Sequence, residues 1–310
     1  MPERPGLSND KSGFLAERAL FSRLETVRLI SIAKVGHYTS AFSAAEIFAV
    51  LYYDTMRLKR GDAKWPDRDR FLMGKGHAAV GLYPILADWD FFPKSLLDEY
   101  TRLGSPLGDH PDMRLVPGID FSSGSIGHAL SAGLGMVLGG RAQKRDFHVF
   151  VLLGDGEMQE GQVWAAAMSA AHHRADRLIA IVDRNRYQLD GKVDDIQAIE
   201  PLPGKWRAFG WDVHEVDGHD VGALAALLRE LKDDSRRAKP ACVIAHTVKG
   251  KGIDYMEREP GWHLGYLAPE DEARARRELE GLTPQPLRVS RIEKHRTGEG
   301  GRGLRATETV

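Results

Sequence analysis

The residues best suited to chemistry in this chain lie at the ends of two short apolar runs. The first, Val149 to Leu153, closes in Gly154-Asp155-Gly156, and a helix is expected shortly afterwards. Glycines let backbone approach a phosphate closely, and the free N–H groups of a following helix can point to it. A carboxylate between the glycines repels that phosphate, and a metal ion between the two anions removes the conflict. The second run, Leu178 to Val182, closes in Asp183-Arg184-Asn185, with Asn185 thirty residues after Asp155. Adjacent strands of a parallel sheet deliver their carboxyl ends to one edge, so Asp155 and Asn185 can meet there. A carboxylate, an amide oxygen and a backbone carbonyl, for which Tyr187 is the candidate, form the hard oxygen set that Mg2+ prefers. Gly-Asp-Gly alone is a common turn; the second strand ending in Asn185 at this distance turns it into a candidate site.

Four of the twelve histidines add to this constellation. Gly36-His37, Gly76-His77, His110-Pro111 and Trp262-His263 each fall where a helix or strand is expected to end. Loop positions carry function disproportionately, and an imidazole can donate to phosphate or hydroxyl oxygens without the full charge of lysine. His148, His172, His173, His214, His246 and His295 lie on expected strands, helices or the C-terminal segment and read as structural or solvated. His219 precedes Asp220, an expected helix cap, and reads as turn chemistry.

The elements that must position these residues follow from periodicity. Phe14 to Val35 repeats apolar positions at helical spacing, with Gly36-His37 as the stop. A second helix is expected to open at Ser43, where Ser-Ala-Ala-Glu forms a capping box. Phe71 to Met73 reads as a strand, followed by a Gly-Lys-Gly-His loop and a helix through Leu86. Val149–Leu153, Leu178–Val182, Trp211–Val216 and Ala241–His246 are short apolar runs separated by helical stretches. That alternation predicts an α/β fold, a mainly parallel sheet with helices on both faces. Ser122 to Ala142 is crowded with Gly, Ala and Ser and is expected to form one close-packed helix, against either its own chain or another subunit. Residues 14–282 read as a single domain, and 283–310, ending in TGEGGRGLRATETV, as a disordered tail.

Composition narrows the function classes. With 310 residues, 42% of them hydrophobic, the chain can bury a substantial core. A formal charge of −1 gives no global field favouring nucleic acid or an anionic membrane. The single cysteine, Cys242, excludes an intrachain disulfide and reads as a buried thiol. The first residues lack a secretory apolar core and no apolar string reaches membrane-span length, so the cytoplasm is the expected location.

Gly154 to Gly156 followed by Asn185 resembles the binding motif of thiamine-diphosphate enzymes. The surrounding text, GDGEMQEGQVW, IVDRN and QLDG, is similar more narrowly to transketolase, and the resemblance runs from about Glu25 to Leu267. It implies the diphosphate-binding domain of the thiamin-diphosphate-binding fold, with thiamine diphosphate and Mg2+ as cofactors. In the matching segments, AKVGHYTSAFSAAEI, DRDRFLMGKGHA, GDHPDM and TVKGKG through GWH, transketolase histidines bind the diphosphate or the donor sugar. By that resemblance His77 and His263 contact diphosphate, while His37 and His110 face the sugar with His263 near both. Gly124, Ser125 and Ile126 match the segment lining the cofactor's middle and pyrimidine part. Glu160 matches an acid at the dimer contact, although an acid in a first helical turn is also favoured by the helix dipole. Two positions depart from the family: Gly127-His128-Ala129 replaces Gly-Gln-Gly, and Arg186 follows Asn185 where a small or amide residue is common.

The thiazolium carbon of the cofactor must lose a proton, which its own aminopyrimidine takes while a carboxylate holds that ring. In transketolases this glutamate belongs to a second domain, and the resemblance here stops after the first. The implied protein is therefore one subunit of a split transketolase, paired with a pyrimidine-binding C-terminal subunit in a dimer of heterodimers. Together they would transfer a two-carbon ketol unit from a ketose, by default phosphorylated, to an aldose. The alternatives are the alpha subunit of a 2-oxo acid dehydrogenase, and a non-catalytic regulator retaining the fold.

Overall fold

Apolar residues at consecutive positions make strands that are buried on both faces, and Val149–Gly154, Leu178–Arg184 and Ala241–His246 are such strands at the centre of the fold. The computed structural model describes residues 9–234 and 237–282. Its strands are β1 (Arg70–Met73), β2 (Val149–Gly154), β3 (Leu178–Arg184), β4 (Tyr187–Gln188), β5 (Gly191–Lys192), β6 (Asp212–Asp217) and β7 (Ala241–His246). Five of them form a fully parallel sheet in the order β1-β2-β3-β7-β6, and β4 and β5 form a small antiparallel ladder just beyond β3. The expected strands are all present, with the boundaries of β6 one residue later than predicted.

The helices are α1 (Asn9–Ala33), α2 (Tyr38–Ser43), α3 (Ala45–Val50), α4 (Ala79–Asp88), α5 (Ala129–Ala142), α6 (Gly161–His172), the single turn α7 (Val193–Ile196), α8 (Leu202–Ala208), α9 (Val221–Asp233) and α10 (Pro269–Gly281). Side chains alternate across a strand, and the sheet accordingly feeds two cores. Phe150, Leu152, Ile179 and Ile181 pack with α1, α3, α4 and α9 on one face. Val149, Val151, Leu153, Ala180 and Val182 pack with α5, α6 and α8 on the other. Cys242 is buried in this second core, as expected, and burial pushes its thiol well up. Among the described residues no helix is long and apolar enough to cross a membrane.

Two expected elements are corrected. The capping box at Ser43 does not form: Ser43 is the last residue of α2 and its Oγ donates to Asp183 Oδ2 at 2.6 Å, while Glu46 is paired with Arg23. Both side chains are buried, and buried polar groups are claimed by whichever long-range partner satisfies them. The segment Ser122 to Ala142 is not one helix, because α5 begins only at Ala129. Gly127 stands at φ +91 and its N–H donates to Glu157 Oε1 at 2.7 Å, which holds residues 122–128 as a loop. The segment 283–310, with His295, lies outside the described residues.

Helix α5 sits close enough to β2 that a Cβ on Gly133 would lie 2.7 Å from Val151 Cγ2, whereas one on Gly139 meets nothing within 4 Å. Gly133→Ala should therefore lower stability by about 1–3 kcal/mol, and Gly139→Ala should raise it by about 0.5–1 kcal/mol. Urea denaturation of the two variants checks the opposite signs, and equal effects would contradict this packing.

Candidate active site

The register of β2 with β3 pairs Gly154 with Asp183, so the residues just past both strands share one edge of the sheet. Asp155 is 1% exposed there. Its Oδ1 accepts the Gly156 N–H at 2.8 Å, and its Oδ2 accepts the Arg186 N–H at 2.5 Å and Arg184 at 3.0 Å. Asn185 turns its Oδ1 to the Tyr187 N–H at 3.0 Å and donates from Nδ2 to Asp183 Oδ2 at 3.2 Å. The structure thus brings Asp155, Asn185 and Tyr187 together as expected.

The charges at this edge are unevenly matched. Burial works against ionisation of Asp183, but Lys75, Ser43 and Thr247 all donate to it and hold its carboxyl below the ordinary range. Asp155 is different, because burial and the neighbouring Asp183 charge push it up to about 6 in spite of Arg184. A buried carboxylate held that high leaves room for another cation. No group of three His, Cys, Asp or Glu side chains suited to a metal occurs among the described residues. The oxygens that could hold a cation here are those of Asp155, the Asn185 amide and the Tyr187 carbonyl, a hard set of the kind that suits Mg2+.

Above this edge lies a cavity of about 450 Å³ whose wall includes Lys75, His77, Gly124, Ile126, Lys249 and His263. Gly154, Asp155, Gly156, Glu160, Asn185 and Tyr187 also line it. His37, His77, His110 and His263 come from four separate segments, yet the ring centroids of His37 and His77 lie 5.0 to 6.4 Å from each other and from those of His110 and His263. Burial, then Lys75, lowers His77 well below the usual value; burial and Lys249 bring His263 down to about 3. These two rings are therefore neutral hydrogen-bonding groups at neutral pH. His77 Nε2 lies 3.0 Å from Ser40 Oγ. Lys249, nearly fully buried, is lowered to about 8 by burial and then by Lys75, and reaches His263 Nδ1 at 3.0 Å and Gln188 O at 3.2 Å. The Lys75 ammonium is taken up by Ser40, Ser43 and Asp183, so the arrangement can offer the oxygens of Asp155, Asn185 and Tyr187, the Lys249 ammonium and a set of imidazoles to an anionic ligand.

Some expected positions fall differently. Ser125 is exposed and does not line the cavity, unlike its neighbours Gly124 and Ile126. His128 is also exposed. Arg186 contributes its N–H to Asp155, while its side chain lines a separate hollow with Arg184, Glu200 and His246. His219 is more than a turn residue. Its ring joins Glu46 Oε2, 2.9 Å from Nδ1, to the Val248 N–H, 2.9 Å from Nε2.

Sequence reasoning missed Ser40, Lys75, Lys249, Glu157, Arg184 and Asp109. The lysines carried a legible signal, each beside glycine in a loop already under suspicion. Arg184 and Glu157 carried none, since an exposed charge and a buried ion-pair partner look alike in sequence. Glu157 is 3% exposed and accepts N–H groups from Gly127 at 2.7 Å and Gly154 at 3.0 Å. A Cβ on Gly74 would collide with its carboxylate.

Comparison with known proteins gives this geometry its class. Residues 17–296 match the family described as transketolase, thiamine diphosphate binding domain. The chain belongs to that family. It is 36% identical over 278 residues to an apulose-4-phosphate transketolase subunit of Phocaeicola vulgatus, covering 90% of this chain and 96% of that one. It is 38% identical over 266 residues to a 6-deoxy-6-sulfo-D-fructose transketolase subunit of Clostridium sp., covering 86% and 96%. Its backbone is similar to a transketolase from Pichia stipitis solved with sedoheptulose-7-phosphate, with a TM-score of 0.79 and 27% identity over 86% of this chain. A transketolase from Leishmania mexicana gives a TM-score of 0.80 at 26% identity. The chain spans 41% of each of these solved chains.

Burial raises Glu157 from 4.5 to about 7, so the folded chain binds its proton more tightly than the unfolded chain does. That contribution to stability is complete below about pH 4.5 and is lost as pH rises through about 7. Denaturation of the metal-free chain should show wild type losing stability relative to Glu157→Gln across this window. A difference independent of pH would refute the raised carboxyl.

Proposed function

We propose that the chain is the diphosphate- and Mg2+-binding subunit of a two-chain transketolase, transferring a two-carbon ketol unit from a ketose to an aldose. The observation that carries the reading is the meeting of Asp155 and Asn185 under a cavity walled by neutral imidazoles and buried lysines. Relatives named as transketolase subunits, matched over 96% of their length, support a separate pyrimidine-binding partner. A dimer of heterodimers in the cytoplasm is the assembly that best suits this division. Residues 14–282 form its cofactor domain.

When bound, thiamine diphosphate supplies the carbon nucleophile that the side chains of this protein lack. Asp155, Asn185 and the Tyr187 carbonyl hold the Mg2+, whose charge relieves the repulsion between Asp155 and the diphosphate. His77 and His263, with Gly154 and Gly156 at close approach, take the phosphate oxygens, and Lys249 adds a charge among them. Gly124 and Ile126 flank the middle of the cofactor, and Ser125, outside the cavity, is left without a contact to it. His37 and His110 hold hydroxyls of the sugar, and His263 stands between the two ligands. Glu160, exposed at the start of α6, faces the subunit contact.

The apulose phosphate and the sulfosugar named for the relatives are both anionic ketoses, and that class is the one proposed here. The 2-oxo acid dehydrogenase alternative gives way to the family match. A regulator without catalysis would have no need of the paired Asp155 and Asn185.

Alone, the chain should show no ketol transfer. Mixed with its partner subunit, thiamine diphosphate and Mg2+, it should transfer from ketose to aldose and form an assembly with at least two copies of each chain. Light scattering and a coupled transfer assay check both statements. Asp155→Ala should lose transfer in the same mixture while keeping the wild-type circular dichroism. Full turnover by the single chain would refute the split-enzyme reading.

A further inference from the structure

Two of the four clustered imidazoles each have one nitrogen committed to a partner that can play only one hydrogen-bonding role. His37 Nδ1 lies 3.2 Å from both carboxylate oxygens of Asp109. Asp109 also accepts the Tyr100 hydroxyl at 3.0 Å and lies 3.6 Å from His110 Nδ1. Burial opposes its charge, but His37 and Tyr100 hold the carboxyl below its usual range. An ionised carboxylate can only accept, so Nδ1 of His37 carries hydrogen, and in the neutral ring the lone pair then falls on Nε2.

His263 has the opposite arrangement. Its Nδ1 faces the Lys249 ammonium at 3.0 Å. An ammonium can only donate, so Nδ1 of this neutral ring accepts and Nε2 carries hydrogen. The two rings stand 5.2 Å apart and nearly perpendicular. The other charged or titratable groups around them are Lys75 and His77 from the loop after β1, and His110 beside Asp109.

We propose that Asp109 and Lys249 are positioning residues that lock His37 and His263 in opposite tautomers, one presenting a proton acceptor and the other a donor to the ketose. A ring with a free lone pair can take a hydroxyl proton, and a ring with a free N–H can stabilise negative charge growing on a carbonyl oxygen. Two neutral imidazoles of the same tautomer would duplicate one role. The assignment of the ligand as a ketose rests on the transketolase reading, whereas the tautomers are a property of this chain alone. Asp109 was not singled out by its sequence context, where it reads only as a neighbour of His110.

Long-range proton–nitrogen correlation spectra of the full chain, labelled with 15N-histidine, test this directly. His37→Gln and His263→Gln assign the two rings. Wild type should show His37 protonated at Nδ1 and His263 protonated at Nε2. Asp109→Ala should shift His37 toward the Nε2–H form and leave His263 unchanged, Asp109→Glu should restore the Nδ1–H form, and Lys249→Met should affect His263 alone. With the partner subunit, Asp109→Ala should lower kcat/KM for the ketose roughly 10- to 100-fold, the range typical of groups that orient a functional histidine. Affinity of the chain for thiamine diphosphate should be unaffected by that change. An Nε2–H form of His37 in wild type, or the same form with and without Asp109, would overturn the proposal. Failure of wild type in the two-chain assay would count against the transketolase reading, while the spectra of the single chain decide the tautomers.

Discussion

Two carboxylates, Asp155 and Asp183, stand buried at the ends of neighbouring parallel strands, and the surrounding structure is organised around their charges. Asp183 is satisfied within the protein, because Lys75, Ser43, Thr247 and Asn185 converge on it from four segments of chain. Asp155 is less well matched: Arg184 and two backbone N–H groups reach it, yet its carboxyl remains raised to about 6. Breaking a buried ion pair by removing one partner is strongly destabilising, which explains why Lys75 is held so firmly. The imbalance at Asp155 is what a bound cation would relieve, and an anionic cofactor then follows the cation.

The same constraint accounts for local features that otherwise look unrelated. Ser43 leaves its expected capping role to serve Asp183, and that ties α2 to the end of β3. Glu157 reaches back to the N–H groups of Gly127 and Gly154, so the loop before α5 is pinned to the end of β2. The ring of His219 bridges buried Glu46 and the peptide of Val248, next to Lys249. Each link joins a helix or strand end to a segment that lies near the cavity, and together they fix the loops around it. The cavity is shaped by polar bonds, whereas the sheet beneath it is shaped by burial.

That division also explains what could be read from the sequence. Val149–Leu153 and Leu178–Val182 were legible because burial on both faces leaves an uninterrupted apolar run, and the glycines around Asp155 marked where the run must turn. Parallel pairing then put Asp155 and Asn185 at one edge, since strand order constrains where carboxyl ends fall. The four clustered histidines were legible as loop residues beside glycine, proline or tryptophan. Not legible were Glu157, Arg184 and Asp109, whose roles depend on which distant group they meet. The break in the expected helix at Ala129 was hidden for the same reason, because glycine, alanine and serine suit both a close-packed helix and a cavity loop.

The central claim is that the cation and the diphosphate are accepted together at the Asp155–Asn185 edge. Calorimetric titration of thiamine diphosphate into the wild-type chain, once with Mg2+ and once with a chelator, measures it most directly. Thermodynamic linkage requires that each ligand tighten the other by the same factor. The account predicts binding at least about tenfold tighter with Mg2+, equivalent to about 1.4 kcal/mol, and the same gain in Mg2+ affinity when thiamine diphosphate is present. Equal affinity for thiamine diphosphate with and without the metal would contradict it.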